Sequence, residues 1–260
     1  MTKITLNFGL FKQAPRSFDM TIDNNKSADL IVGPPWELRG NGHILFSWGD
    51  KSRNLQDAFI PNGLKPWYRG LINLTMFVNY KSSPVGPYRE LLYIPGVFLG
   101  GGQAPFFSIS KIYVDSISST VSGRANWGIP KEMASFRLER AHGNEVVSVI
   151  KDDKEFVSYD LKAFGPKLPI AVNLFPPSLR RFGQLLDGKF FKYVFDGKGY
   201  MQLAKVNNLQ SDRGLFPDLR ARSPFLSLSI TNFSLRFPVP ESVASWSKFS
   251  SLQPRSVEQS

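Results

Sequence analysis

The sequence predicts a mainly β architecture, an antiparallel β-barrel or cone, closed or nearly closed, with a few short helices. Three observations predict it. Apolar and polar residues alternate with period two over much of the chain, helical patterning is sparse, and glycine, proline and other turn residues bound the alternating runs. Many strands with few helices bury their apolar faces in one barrel or sandwich, and 260 residues fit a single such domain.

The elements follow in chain order. Residues 4–11 alternate, 71–80 form a long β-prone run, and 106–114 alternate around Ser108 and Ser110. Further strands are expected at 134–138, 145–150, 168–174 and 225–237, which are rich in β-branched and aromatic residues. A hairpin is expected between 190–195 and 200–206, with Asp196-Gly197-Lys198-Gly199 as its turn, because glycine supplies positive φ. Asp115 is expected to cap a short helix over 116–124, ended by Gly128 and Pro130. Pro176-Pro177-Ser178 is expected to open another, with Leu179, Phe182, Leu185 and Leu186 on one face. Residues 50–70 lack periodicity and read as a long loop or lid. Residues 1–250 therefore read as one domain and 251–260 as a polar tail.

Composition narrows the chemistry. The chain has no cysteine, which removes disulfides, thiolate metal sites and a cysteine nucleophile and suits a reducing, cytoplasmic setting. The start shows no basic segment followed by an apolar stretch, so no secretory signal is expected. No run approaches the ~20 apolar residues of a membrane-spanning helix. The net charge of +11 comes from scattered Lys and Arg without a nucleic-acid-binding motif, so an anionic small molecule suits it as well as a nucleic acid, and no nucleic-acid partner is expected. His43 and His142 have no metal-ligand spacing, so neither a metal nor another cofactor is expected. There is no G-x-S-x-G elbow, and Gly100-Gly101-Gly102 lacks the Lys-Ser/Thr of a phosphate loop.

One lysine stands apart. In Gly123-Arg124-Ala125-Asn126-Trp127-Gly128-Ile129-Pro130-Lys131-Glu132-Met133, Pro130 stiffens the approach to Lys131 and Trp127, Ile129 and Met133 surround it. Facing a barrel interior, such a lysine loses charge by desolvation, and a neutral amine attacks carbonyl carbon to form an imine. Facing solvent, it is an ordinary loop lysine.

The segment from Gly123-Arg124 to Trp127-Gly128-Ile129-Pro130-Lys131 resembles the acetoacetate decarboxylase pattern: Gly-Arg-Glu, two or three residues, an aromatic or aliphatic residue, then Pro-Lys. Gly86-Pro87-Tyr88-Arg89-Glu90 is similar to the family's Tyr-x-Glu segment, and Gly33-Pro34-Pro35-Trp36-Glu37-Leu38-Arg39 to a Gly-Pro-aromatic stretch ending in arginine, offset by one position. The resemblance is to a divergent member and covers roughly residues 33 to 134. It implies a cone of strands around a cavity, a homo-oligomer, and a Schiff base between the lysine and a β-keto acid or related carbonyl compound. On that resemblance Lys131 is the nucleophile, Glu90 positions substrate or moves protons, Arg39 holds a carboxylate, and Tyr88, Arg124 and Trp127 contact substrate.

Two departures stand out. Glu132 occupies the position of a second family lysine, and Ala125 replaces the glutamate of Gly-Arg-Glu. If its side chain lies close, Glu132 is expected to raise the Lys131 pKa. Three readings stay open: an imine-forming lyase acting by decarboxylation, aldol or dehydration steps, a non-catalytic barrel binding a small apolar or anionic ligand, and a scaffold with a collapsed cavity.

Overall fold

The computed structural model describes residues 30–100, 104–141 and 143–247. The strand expected at 4–11, His142 and the 251–260 tail lie outside the described residues.

Strand β1 (Trp36–Gly49) leads into helix α1 (Lys51–Asp57), a 3-10 turn (Asn62–Trp67) and β2 (Tyr68–Ser82). Four strands follow, β3 (Tyr88–Ile94), β4 (Val97–Phe98), β5 (Phe106–Phe107) and β6 (Lys111–Val114). Helix α2 (Ile117–Trp127) precedes β7 (Lys131–Met133), β8 (Ser135–Ala141), β9 (Asn144–Lys151) and β10 (Lys154–Ala171). The chain continues through β11 (Arg181–Leu186), β12 (Lys189–Val194), β13 (Asp196–Ser211), β14 (Leu226–Phe237) and β15 (Ser242–Ser245).

The mainly β expectation holds, with two refinements. The strands run in the order β15-β12-β11-β5-β4-β2-β1-β14-β13-β10-β9-β8, so the sheet has two ends and does not close on itself. Most ladders are antiparallel, but β5 with β11 and β6 with β7 pair in parallel. Strand β2 forks: Tyr68 and Gly70 pair with β4, whereas Leu74 to Tyr80 pair with β3, which pairs onward with β6. Two apolar clusters pack against the sheet, one on each face of β2 and β3.

Alternation assigns residues to the two layers. Along β2, Val78 and Tyr80 enter one cluster and Phe77 the other, and along β3 Tyr88, Leu92 and Ile94 separate in the same way from Leu91 and Tyr93. Because both faces of β3 are covered, its burial is nearly continuous.

Several local expectations are corrected. Residues 190–195 and 200–206 do not form a hairpin: β12 pairs with β11 and β15, while β13 pairs with β10 and β14. The turn is instead Asp187-Gly188, whose φ values of 49° and 71° are both positive as a type I′ turn requires. Gly197 and Gly199 serve as close-packing sites within β13; a Cβ at either would sit 3.0 Å from β14 atoms. The helix expected after Pro176 is a 3-10 turn (Pro177–Leu179) followed by β11, since Phe182, Gly183 and Gln184 are buried consecutively and a Cβ at Gly183 would meet Phe106 and Phe190 at 2.6 Å. Residues 50–70 are ordered helix, 3-10 turn and strand start, not a lid. Asp50 caps α1, and the buried Asn54 amide reaches Tyr68, Asn73 and the Pro95 carbonyl. Helix α2 is capped one residue later than expected, by Ser116, while Asp115 accepts from the Arg89 amide at 2.6 Å. Its end is the expected one, with Gly128 left-handed at φ 64°.

Among the described residues no helix is long and apolar enough to cross a membrane, and no group of three His, Asp or Glu is placed to hold a metal ion.

Candidate active site

One layer encloses a chamber of about 290 Å³, bounded by β1, β2, β3, β6, β7, β13 and β14. Its wall is aromatic and aliphatic, and the only acidic residue among the described lining is Glu90. Trp36 and Trp127 meet edge-to-face at 5.1 Å on one side, with the Trp127 indole donating to the Pro238 carbonyl at 2.8 Å.

Lys131 enters this wall through two consecutive turns of the chain. Gly128 ends α2 in a conformation that side chains disfavour, and Pro130 then directs β7 alongside β6, with Lys131 opposite Ile112 and Glu132 opposite Tyr113. Ile112 faces the chamber and Tyr113 the other layer, so alternation sends Lys131 inward and Glu132 away. Glu132 pairs instead with Lys111 and, at 3.0 Å, with Lys151. The expectation that Glu132 would charge Lys131 is therefore corrected.

The partner of Lys131 is Glu90. The Lys131 ammonium is 5% exposed and lies 2.9 Å from Glu90 Oε2, itself 4% exposed. It also donates to Ser119 Oγ at 2.9 Å and Tyr88 Oη at 3.4 Å, and stands 5.0 Å from the Tyr88 ring. Tyr80 donates to the other Glu90 oxygen at 3.2 Å and packs on Tyr88. Burial pulls the Lys131 pKa down, but the Glu90 charge overrides it and holds the amine above the ordinary lysine value. The expected neutral resting amine is thus replaced by a buried ammonium–carboxylate pair. Burial, reinforced by the Glu90 charge, pushes the Tyr80 phenol well up, so it remains a proton donor.

Of the residues singled out in the sequence, the fold brings Lys131, Glu90, Tyr88 and Trp127 together around one space. Arg39 and Arg124 do not reach it. Arg39 alternates with buried Trp36 and Leu38 on β1 and is exposed on the opposite side, while Arg124 lies 3.6 Å from Asp187 at the surface. Ser119 and Tyr80 were not legible, since a lone hydroxyl carries no motif. His43 also borders the chamber, but its ring is occupied by Tyr159 at 3.0 Å and Glu145 at 2.8 Å. The hydrogen bond from His43 holds the Glu145 carboxyl down at about 2.

Gly123 explains the glycine of the motif physically. A Cβ there would lie 2.8 Å from Lys131 Cδ and 2.9 Å from Cε, so the lysine stem occupies the space a side chain would need. Gly123→Ala is expected to cost about 1–3 kcal/mol by overpacking. It should also lower reactivity of the Lys131 amine at least tenfold, measured by amine labelling and mass mapping; equal labelling would show that the stem has room to move.

Comparisons with known proteins agree with the fold. The acetoacetate decarboxylase family profile matches residues 52–179, and no curated protein matches the sequence. Among solved structures, acetoacetate decarboxylase from Legionella pneumophila is similar at TM-score 0.61 and 15% identity, covering 91% of this chain and 99% of that one. An acetoacetate decarboxylase-like enzyme from Sphingomonas wittichii RW1 gives 0.58 at 11% identity, covering 89% and 99%. The enduracididine biosynthesis enzyme MppR complexed with pyruvate gives 0.57 at 13%, covering 90% and 98%. The fold is that of this mainly β class. Profile and fold are both similar to those of acetoacetate decarboxylase-like proteins, at the low identity of a divergent relative.

Proposed function

We propose that this protein is an imine-forming enzyme in which Lys131 attacks the carbonyl carbon of a keto acid or related carbonyl compound. The observation that carries the proposal is the buried Lys131–Glu90 pair, 2.9 Å apart in the wall of an otherwise apolar chamber. Holding two charges in a buried site carries a high desolvation cost, and a perturbed titratable pair lining a cavity marks a candidate site for proton-transfer chemistry.

The geometry supplies a balanced route. Lys131 passes a proton to Glu90, and the freed amine adds to the carbonyl carbon to form a carbinolamine. Glu90 returns the proton to the carbinolamine oxygen, which leaves as water, and the positive iminium that remains pairs with the Glu90 carboxylate. The iminium then accepts the electron pair of a breaking C–C or C–H bond on the neighbouring carbon. The enamine is reprotonated there, and water releases the product. Tyr80 steadies the carboxylate through its second oxygen, and Ser119 orients Nζ.

The test is intact mass after incubation with a panel of keto acids, ketones and aldehydes in the presence of borohydride. A stable adduct mapping to Lys131 supports the mechanism, and the absence of any adduct from neutral to alkaline pH would sink it. A second reading, a chamber that binds a small apolar ligand without chemistry, draws support from the raised Lys131 pKa. Binding without trapping would favour it.

A further inference from the structure

The charge balance of the chamber bears on what its carbonyl compound looks like. Among the described lining residues the ionisable groups are Lys131, Glu90, Lys198, His43 and the tyrosines. Lys198 is exposed on β13, and both His43 nitrogens are already engaged. The two arginines of the family-like motifs, Arg39 and Arg124, stand outside. Around the reacting nitrogen there is therefore one positive charge and one negative charge. Ammonium–carboxylate and iminium–carboxylate are each neutral pairs, so imine formation leaves the balance unchanged.

A β-keto acid disturbs it. Its carboxylate lies two C–C bonds, about 2.5 Å, from the carbonyl carbon and would be delivered beside Glu90. Two carboxylates would then share one cation in a low-dielectric space, the arrangement that forces one of them to protonate or leave. The remaining wall is mainly apolar, with Leu38, Leu92, Ile112, Phe182 and Phe237; besides the tyrosine hydroxyls, its other side-chain donors for an anion are Ser234 and the exposed Lys198.

Resting on the imine reading above, we infer that the compound Lys131 takes is uncharged and largely apolar, an aldehyde or ketone without a carboxylate next to its carbonyl. The volume of about 290 Å³ lies at the small end of ligand pockets, which suits a compound of aryl-ketone or medium-chain-aldehyde size. Imine formation consumes one amine and one carbonyl and releases one water. With no carboxylate to lose, the bond that breaks next is a C–H or an aldol-type C–C bond on the neighbouring carbon. The C–H proton is taken by Glu90.

The experiment compares borohydride-trapped Lys131 adducts from 4-phenyl-2-butanone with those from benzoylacetate and pyruvate, each normalised to its trapping by Nα-acetyl-lysine. The expected result is at least tenfold greater normalised yield from the neutral ketone. Equal or greater yield from either acid would overturn the substrate class while leaving the imine chemistry standing. No adduct from any of the three would overturn the imine reading and this inference with it. Leu38→Arg supplies the missing cation and is expected to shift the preference toward benzoylacetate by tenfold or more. A folded Leu38→Arg protein with unchanged preference would overturn the charge argument.

Discussion

Lys131→Ala is expected to remove every borohydride-trapped adduct and any carbonyl turnover, and also to destabilise the protein by about 3–5 kcal/mol, the usual cost of leaving one partner of a buried ion pair alone. From the sequence, Lys131→Ala is expected to leave folding intact. Packing says otherwise: Glu90 is 4% exposed, and without Lys131 its carboxylate keeps, among the described residues, the Tyr80 hydroxyl as its hydrogen-bond partner. Glu90→Gln in the Lys131→Ala background should therefore recover most of the loss. Urea unfolding of the two single variants and the double variant gives the coupling directly. The sign with pH follows from the raised lysine pKa. The pair stabilises wild type below the ordinary lysine value and is lost as pH rises through the higher folded value, so wild type and double variant should converge at strongly alkaline pH. An adduct persisting in Lys131→Ala would overturn the assignment of the nucleophile.

Glu90→Gln alone should act in two opposite directions. Removing the carboxylate removes the main influence that raises the Lys131 pKa, while burial, which lowers it, remains. The trapping midpoint should therefore fall from above the ordinary lysine value to below it, and adduct yield at neutral pH should rise tenfold or more. Turnover should nevertheless drop by about 10²–10⁴, the usual contribution of a positioned proton carrier. Trapping yield and turnover measured across pH separate the two effects. A midpoint that stays put would show that Glu90 does not govern the lysine charge.

Much of the architecture was legible where one rule dominated. The runs at 71–80 and 145–150 lie within β2 and β9, and 225–237 exceeds β14 by one residue, each strand between two antiparallel neighbours. Reading failed where two rules competed. Asp196-Gly197-Lys198-Gly199 has turn composition, yet the glycines serve close contact with β14, and the hairpin signal that counted was Asp187-Gly188. Phe182, Leu185 and Leu186 fit helical and strand periods alike, and burial of the intervening Gly183 and Gln184 decided for a strand. At the candidate site, segment resemblance singled out both Lys131 and Glu90, and the fold places them side by side. The charge state of the pair was not readable, because it depends on β3, β6 and β7 lying side by side. Glu132 shows the same limit: adjacent in sequence, it points to the other face of the sheet.

The contact between Lys131 and the bare backbone of Gly123 reaches into the history of the chain as well as its chemistry. A long side chain at 131 and any side chain at 123 compete for the same volume, so 123 cannot gain a side chain while the lysine keeps its place. A descendant that abandons the lysine for a shorter residue becomes free to gain a methyl group at 123. One that gains it first must bend or surrender the lysine. The two losses should therefore travel together among relatives, and a glycine retained opposite a shortened residue would mark a lineage that lost its lysine recently.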